Sequence, residues 1–522
     1  MTEVRGRTAW ELVELRAAAT PDDLMFEGEG GQRLTFGEFR TEALRLSSHL
    51  DWVPEGCPVA WQLPTTLSAC VLAAALAHRG AVQVPLLPSY RERELAFVID
   101  QVAIPLLVMP TVWRGVDYRE ISAGLTDRRP GLRVVHADDL LGDDLADRLA
   151  GELAQPPRDA VRARLGGARW VFYTSGTTGS PKGVKHADTA LIAAGLATMD
   201  GFELTDKDRH AIVFPLTHIG GIMWILVGLM VGMPQLLIEA FRPETTIPLM
   251  RRFGVTVAGA GTAFHQTYLA AQRAQPDEPL FPDVRVFPGG AAPKPPHLHS
   301  ELKAEMGGAG IVSGYGLTEC PMLATNHPAD PDEKLATTEG VAAPGVSVRV
   351  VDADGVEVGP GEVGELRVRG PQLFSGYVDA SLDADAFDDS GWLRTGDLGS
   401  MDAEGHLTIT GRLKDIIMRK GESIGAKEIE DLLYPHPDVA DVAVIGLPDA
   451  ERGERICAVV QPARPGHPPT LDQLVAYLRE QQIMPQKLPE QLELMDQLPR
   501  GAAGKVQKQD LRQRLSGPQG AS

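Results

Sequence analysis

Between residues 167 and 320 short apolar runs alternate with helical patterns, and this alternation constrains the fold more than any other feature. "WVFY" leads through a Gly/Thr-rich stretch to "TALIAAGLATM", and "HAIVFPL" leads to "IGGIMWILVGLM". "QLLIEA" precedes "TTIPLMRRFG", "TVAGAG" precedes "AFHQTYLAAQRA", and "VRVFPGG" and "GIVSGYG" continue the series. Strand, loop and helix at this pitch predict βαβ units and a largely parallel sheet, because parallel neighbours need a crossover connection. Residues 56–110 repeat the grammar with "PVAWQL", "LSACVLAAALAHRG" and "AVQVPL". The first 320 residues therefore read as two layered α/β halves.

A chain of 522 residues exceeds one ordinary core, so two or more domains are expected. The formal net charge of −20 repels nucleic acid and anionic membrane surfaces, which argues against both as partners. Anionic ligands would then need local, placed cations. The first 30 residues hold no apolar run fit for a signal peptide. The most apolar stretch, "IMWILVGLMVGM" at 222–233, stops at Pro234, short of the roughly 20 residues a membrane span needs. It reads as a buried helix. Four scattered cysteines without metal spacing fit reduced thiols, and the expected location is cytoplasmic.

The texture changes near 341. "VSVRVVDADGVEVGPGEVGELRVRG" alternates apolar and polar residues around "ADG" and "GPGE" turns, the grammar of antiparallel hairpins, and predicts a small β-barrel over about 341–411. From 412 to 522 an amphipathic helix "AKEIEDLLY", strands "VADVAVIGL" and "RICAVVQ", and a second helix "LDQLVAYLREQQ" predict a separate α+β domain. The boundary "GRLKDII" is short and charged, which suits a hinge.

Six fragments carry the chemistry. "YTSGTTGSPKGVKH", 173–186, follows a strand and precedes a helical pattern; its glycines let backbone N–H groups converge on an anion, and Lys182 adds a point charge. Its spacing is not that of a P-loop, since Gly176 and Gly179 stand too close and Gly183 follows Lys182. "PGGAA", 288–292, and "GYGLTEC", 314–320, end predicted strands; Thr318 can bond a phosphate oxygen and Glu319 can ligate Mg²⁺. "GWLRTGDLG", 391–399, puts Asp397 in what reads as a tight Gly-flanked turn, where a carboxylate could grip a ribose diol. "GRLKDIIMRKGESI" follows at 411, and "LPRGAAGKVQKQDL", 498–511, sets Lys505 in a Gly-rich loop.

In this order the six fragments resemble the adenylate-forming superfamily of acyl-CoA synthetases, aryl-CoA ligases, luciferases and peptide-synthetase adenylation domains, over roughly residues 30–512. The resemblance implies a large N-terminal domain, 1–411, of two α/β subdomains plus a β-barrel, and a mobile C-terminal α+β lid, 412–522. It implies an ATP-dependent carboxylate–CoA ligase. The acid attacks the α-phosphate of ATP to give acyl-AMP and pyrophosphate, and the thiol of coenzyme A then displaces AMP. Thr174, Ser175, Gly176, Thr177, Thr178, Gly179 and Lys182 would cradle the β- and γ-phosphates. Thr318 would touch the α-phosphate and Glu319 would hold Mg²⁺. Gly289, Gly290 and Ala291 would pass over the adenine with Tyr315 stacked on it, Gly316 would join the nucleotide-binding residues, and Asp397 and Arg412 would hold the ribose. Lys505 would reach from the lid to the reacting carboxylate and α-phosphate, and Lys414 would be the hinge that swings Lys505 out and the "KGESIG" loop in.

"FPLTHIGG", 214–221, resembles the family's acyl-pocket motif, with His218 gating or lining the tunnel. No acidic residue stands in it to pair a substrate ammonium, so an amino acid is not the expected substrate. The "KDIIMRKGESI" string looks most like ligases for fatty, alicyclic or similar hydrophobic acids. Two alternatives are an acyl-AMP ligase that loads a carrier protein and a nucleotide-binding pseudoenzyme. A homodimer is compatible with the sequence.

Overall fold

The computed structural model describes residues 3–137, 164–174, 181–259, 261–290, 294–420, 422–449, 451–464, 466–501 and 504–516. The alternation seen in the sequence becomes layered α/β structure. One six-stranded sheet runs in the order Lys182–His186, Trp170–Thr174, Val82–Pro85, Pro58–Trp61, Leu106–Met109, Arg133–His136. Its strands pair parallel except for the first, which is antiparallel to Trp170–Thr174. Helix Leu67–Arg79 makes one of the crossovers; Thr66 accepts a hydrogen bond from Ala69 N–H at its start, and Gly80 ends it in the left-handed conformation.

The two halves are interleaved, where the sequence suggested consecutive ones. Leu24–Gly28, from the first residues of the chain, lies parallel to Gln235–Leu237, which in turn pairs with His210–Ile212. The described residues of "TVAGAG" form no strand; single bridges through Val257 link His210 to Val286, and Phe287–Gly289 then pairs with Ile311–Leu317. The "WVFY" run and the following segment form a hairpin, with Lys182 opposite Thr174, so a strand intervenes before helix Asp188–Gly201.

Helix Ile219–Val231 is the apolar run of the sequence and is buried on nearly every side. Each such aliphatic side chain contributes about 1.5–3 kcal/mol when taken out of water. At its carboxyl end the buried Arg16 guanidinium donates to Leu229 O and Met230 O, both at 2.7 Å, satisfying carbonyls the helix itself leaves open. No described helix is long and apolar enough to cross a membrane.

The β-rich region contains a four-stranded antiparallel meander, Ser347–Val351, Gly364–Arg369, Leu393–Met401 and Leu407–Arg412. Beyond it, strands Ile416–Arg419, Glu422–Gly425, Val439–Asp449, Gly453–Pro462 and Gln491–Leu494 form one sheet. Helices Ala426–Leu433 and Leu471–Glu480 cover one face through Ile429, Leu433, Leu474 and Leu478, and Leu511 of helix Lys508–Leu515 packs on the other. All four cysteines are free and buried.

Candidate active site

One cleft of about 2410 Å³ runs between the α/β body, the meander and the C-terminal sheet. Segments hundreds of residues apart in the chain meet along it. Thr174 and Lys182 enter it as a cross-strand pair at the mouth of their hairpin. The intervening Ser175, Gly176, Thr177, Thr178 and Gly179, like Ala291, lie outside the described residues.

The glycines of the next two motifs are required by close packing. A Cβ on Gly289 would meet Ile311 Cγ2 at 2.8 Å, one on Gly290 (φ +153°) would meet Gly314 O at 2.8 Å, and one on Gly316 would meet Met322 N at 2.5 Å. The backbone therefore forms a flat shelf beside Tyr315. Strand Ile311–Leu317 does not end at "GYG". It runs to Leu317, turns on Thr318 and Glu319, and returns antiparallel as Cys320–Thr325. The turn is tied down twice: His186 Nε2 donates to Thr318 O at 2.7 Å, and Phe374 N donates to Glu319 O at 2.8 Å. Burial pushes His186 down to about 4, so it stays a neutral donor.

Asp397 is not in a turn. It stands within strand Leu393–Met401, opposite Arg412, because a register shift next to it lets the Gly-flanked segment stay paired. Its carboxylate is nearly fully buried, with Arg412 Nε 2.6 Å from Oδ1 and the Tyr315 hydroxyl donating to Oδ2 at 2.7 Å. Two motifs that read as separate contacts are thus one hydrogen-bonded unit. Lys414 follows in a 3₁₀ turn, Leu413–Asp415, and burial followed by the neighbouring Arg412 charge lowers its ammonium pKa.

Lys505 reaches the same place from the far end of the chain. A Cβ on Gly504 would lie 3.8 Å from Ala263 Cβ, so the C-terminal loop touches the α/β body. The Lys505 side chain still meets solvent in the cleft, but the crowding around it and then the Arg412 charge pull its ammonium down to about 8. Arg412, Lys414 and Lys505 stand near Asp397 and Asp415, and Arg512 lies 3.1 Å from Asp415 Oδ1, a local cluster of cations in an acidic protein.

His218 is the N-cap of helix Ile219–Val231: its Nδ1 accepts from Gly220 N–H at 3.1 Å, and Phe214 packs edge-on at 6.3 Å. Desolvation pushes it down to about 4. The ring is neutral, with its proton on Nε2, and it forms part of the cleft wall with Ile219, Gly220 and Met223. Thr262, Gly290 and Met322 also line the cleft; Gly290 packs on Gly314, and Gly314 on Met322.

Glu319 offers a hard oxygen donor. Its Oε1 accepts from the Tyr377 hydroxyl at 2.7 Å, and its Oε2 has no partner among the described residues, a donor that suits Mg²⁺. Neither Tyr377 nor His186 was singled out from the sequence. Both act through contacts with residues far away in the chain, and neither sits at a recognisable spacing from its partner.

Residues 13–378 match the family model described as AMP-binding enzyme, and residues 428–505 match that of the AMP-binding enzyme C-terminal domain. The chain is 31% identical over 511 residues to the medium-chain fatty-acid–CoA ligase of Escherichia coli K12, covering 96% of this chain and 90% of that protein. It is 34% identical over 475 residues to the indoleacetate–CoA ligase of Aromatoleum aromaticum, covering 86% and 90%. The crystal structure of ATP-bound MatB from Rhodopseudomonas palustris superposes with a TM-score of 0.85 at 28% identity, covering 97% of this chain and 98% of that one. With the larger family model spanning most of its length and the smaller one following in order, the chain belongs to the AMP-binding enzyme family.

Proposed function

We propose that the protein is an ATP-dependent carboxylate–CoA ligase that activates a hydrophobic carboxylic acid as acyl-AMP and then forms the acyl-CoA thioester. The observation that carries this reading is the meeting of Lys182, Thr318, Glu319, Asp397, Arg412 and Lys505 along one cleft whose lining also includes the uncharged His218, Ile219, Gly220 and Met223. A carboxylate is a poor electrophile, and adenylation turns its oxygen into a good leaving group. In this reading the Tyr315–Asp397–Arg412 unit accepts the ribose hydroxyls, and the shelf at Gly289 and Gly290 lies under the adenine. Lys182 and the adjoining loop take the outer phosphates. Glu319 is the residue to hold Mg²⁺, which supplies charge neutralisation at the phosphates.

Lys505 stands where negative charge grows as the acid oxygen attacks the α-phosphate. A cation fixed there stabilises the transition state more than the ground state. The uncharged lining residues His218, Ile219, Gly220 and Met223 suit an acyl group without a second ionised carboxylate or an ammonium. For the second half-reaction the segment after Arg412 acts as a lid that pivots at Lys414, withdraws Lys505 and admits the thiol. A CoA-dependent AMP-release assay over a panel of fatty, alicyclic and aromatic acids tests the reading. A thioester with at least one acid is expected. Failure with every acid would refute it, and acyl transfer to a phosphopantetheinyl carrier but not to CoA would move the acceptor to a carrier protein.

A further inference from the structure

Tyr377 belongs to none of the motifs above, yet it touches two of them. Its hydroxyl donates to Glu319 Oε1 at 2.7 Å, and the Lys182 ammonium lies over its ring, 5.4 Å from the centroid. The backbone around it is pinned to the hairpin strand that carries Lys182: Ser375 N donates to Lys185 O at 2.8 Å, Lys185 N to Gly376 O at 3.1 Å, and Val378 N to Gly183 O at 2.8 Å. Asp383 Oδ1 accepts from Tyr377 N at 2.8 Å, and Phe374 packs edge-on against the ring at 4.9 Å while its own N–H holds Glu319 O. The ring is therefore fixed against both motifs at once. Among the described residues, Lys182 and Glu319 form no ion pair with each other or with any other side chain.

A cation and a carboxylate on one cleft wall attract each other, and a direct pair would cancel both charges. An aromatic face holds an ammonium without neutralising it, and a phenol hydroxyl orients a carboxylate without neutralising it. We propose that Tyr377 is a positioning residue that keeps Lys182 and Glu319 apart, its ring seating the ammonium and its hydroxyl occupying Glu319 Oε1, so that Lys182 stays charged for phosphate and Oε2 stays free for a divalent cation. This rests on the ligase reading. Tyr377→Phe keeps the ring, the backbone pairing and the cation–π contact and removes only the hydroxyl. Glu319 is then free to turn toward Lys182.

The test is calorimetric titration of ATP into the full-length protein at a series of Mg²⁺ concentrations, with no acid or CoA present. Loss of a hydrogen bond to a charged group typically corresponds to about tenfold or more in an equilibrium constant. Tyr377→Phe is therefore expected to raise the half-saturating Mg²⁺ concentration for ATP binding about tenfold, in a variant that still unfolds cooperatively. In a Glu319→Gln background the same substitution is expected to shift it less than about twofold, because the carboxylate it orients is gone. A parental Mg²⁺ response in Tyr377→Phe, or an equal shift in both backgrounds, overturns the positioning role while leaving the ligase reading intact. No ATP binding by the parent at any Mg²⁺ concentration overturns both.

Discussion

His210 is one of the unsatisfied polar groups of the core, and its removal makes a quantitative test. The ring is fully buried, stacks on Trp224 at 3.9 Å between centroids, and neither nitrogen has a hydrogen-bond partner among the described residues. Burial pushes it down to about 3. In the unfolded chain the same imidazole titrates near about 6.5. Between those values the unfolded state binds a proton that the folded state refuses, so stability falls as pH drops below the unfolded value. From pH 7 to pH 5 this one group removes about 2 kcal/mol, a sizeable part of an ordinary folding free energy of about 5–15 kcal/mol. His210→Phe keeps an aromatic ring against Trp224 and removes the titration. His186 and His265, depressed in the same direction, and the buried carboxyls Asp188 and Glu430, raised and so of opposite sign, contribute equally in parent and variant. The difference between the two pH dependences therefore isolates His210. Urea unfolding followed by tryptophan fluorescence at pH 7 and pH 5 measures it. The variant is expected to lose about 2 kcal/mol less than the parent over that interval, even if the larger ring lowers stability at both pH values. Equal losses would show that His210 is protonated or solvated in the folded protein and would refute the reasoning.

Two further predictions concern Lys505. Lys505→Ala is expected to lower acyl-AMP formation about 10²–10³-fold while largely sparing thioester formation from supplied acyl-AMP, measured as separate half-reactions; an equal loss in both would refute its assigned role. Because the ammonium is held down to about 8, adenylation in the parent is expected to fall as pH rises through that value, and Lys505→Arg should carry its residual activity to higher pH; a parental alkaline limb in that variant would assign the limb to another group.

The site was legible in the sequence where its chemistry is local. Thr174, Lys182, Gly289, Gly290 and Gly316, and Thr318 with Glu319 are singled out from short strings because a backbone that approaches a phosphate or a base needs glycine, hydroxyls and a fixed cation at small offsets, while residues 175–180 lie outside the described residues. Asp397 was read as a ribose-binding carboxylate but misplaced in a turn, since the glycines on either side of it signal a break that cross-strand pairing with Arg412 overrides. His218 was read as a tunnel residue, and the structure adds that it caps the very helix whose apolar run was legible.

The sequence by itself determined the layered α/β character, the β-rich segment, the C-terminal α+β segment and the order of the six motifs, because periodicity and turn chemistry act between residues a few positions apart. Only the tertiary structure decided that Leu24–Gly28 joins a sheet with Gln235–Leu237, that Tyr315 donates to Asp397, that Lys505 comes back to the cleft, and that Tyr377 stands between Lys182 and Glu319. Those contacts join residues from about 60 to more than 200 positions apart. Which distant segments meet is settled by the packing of whole layers around shared cores, and no short string carries that information.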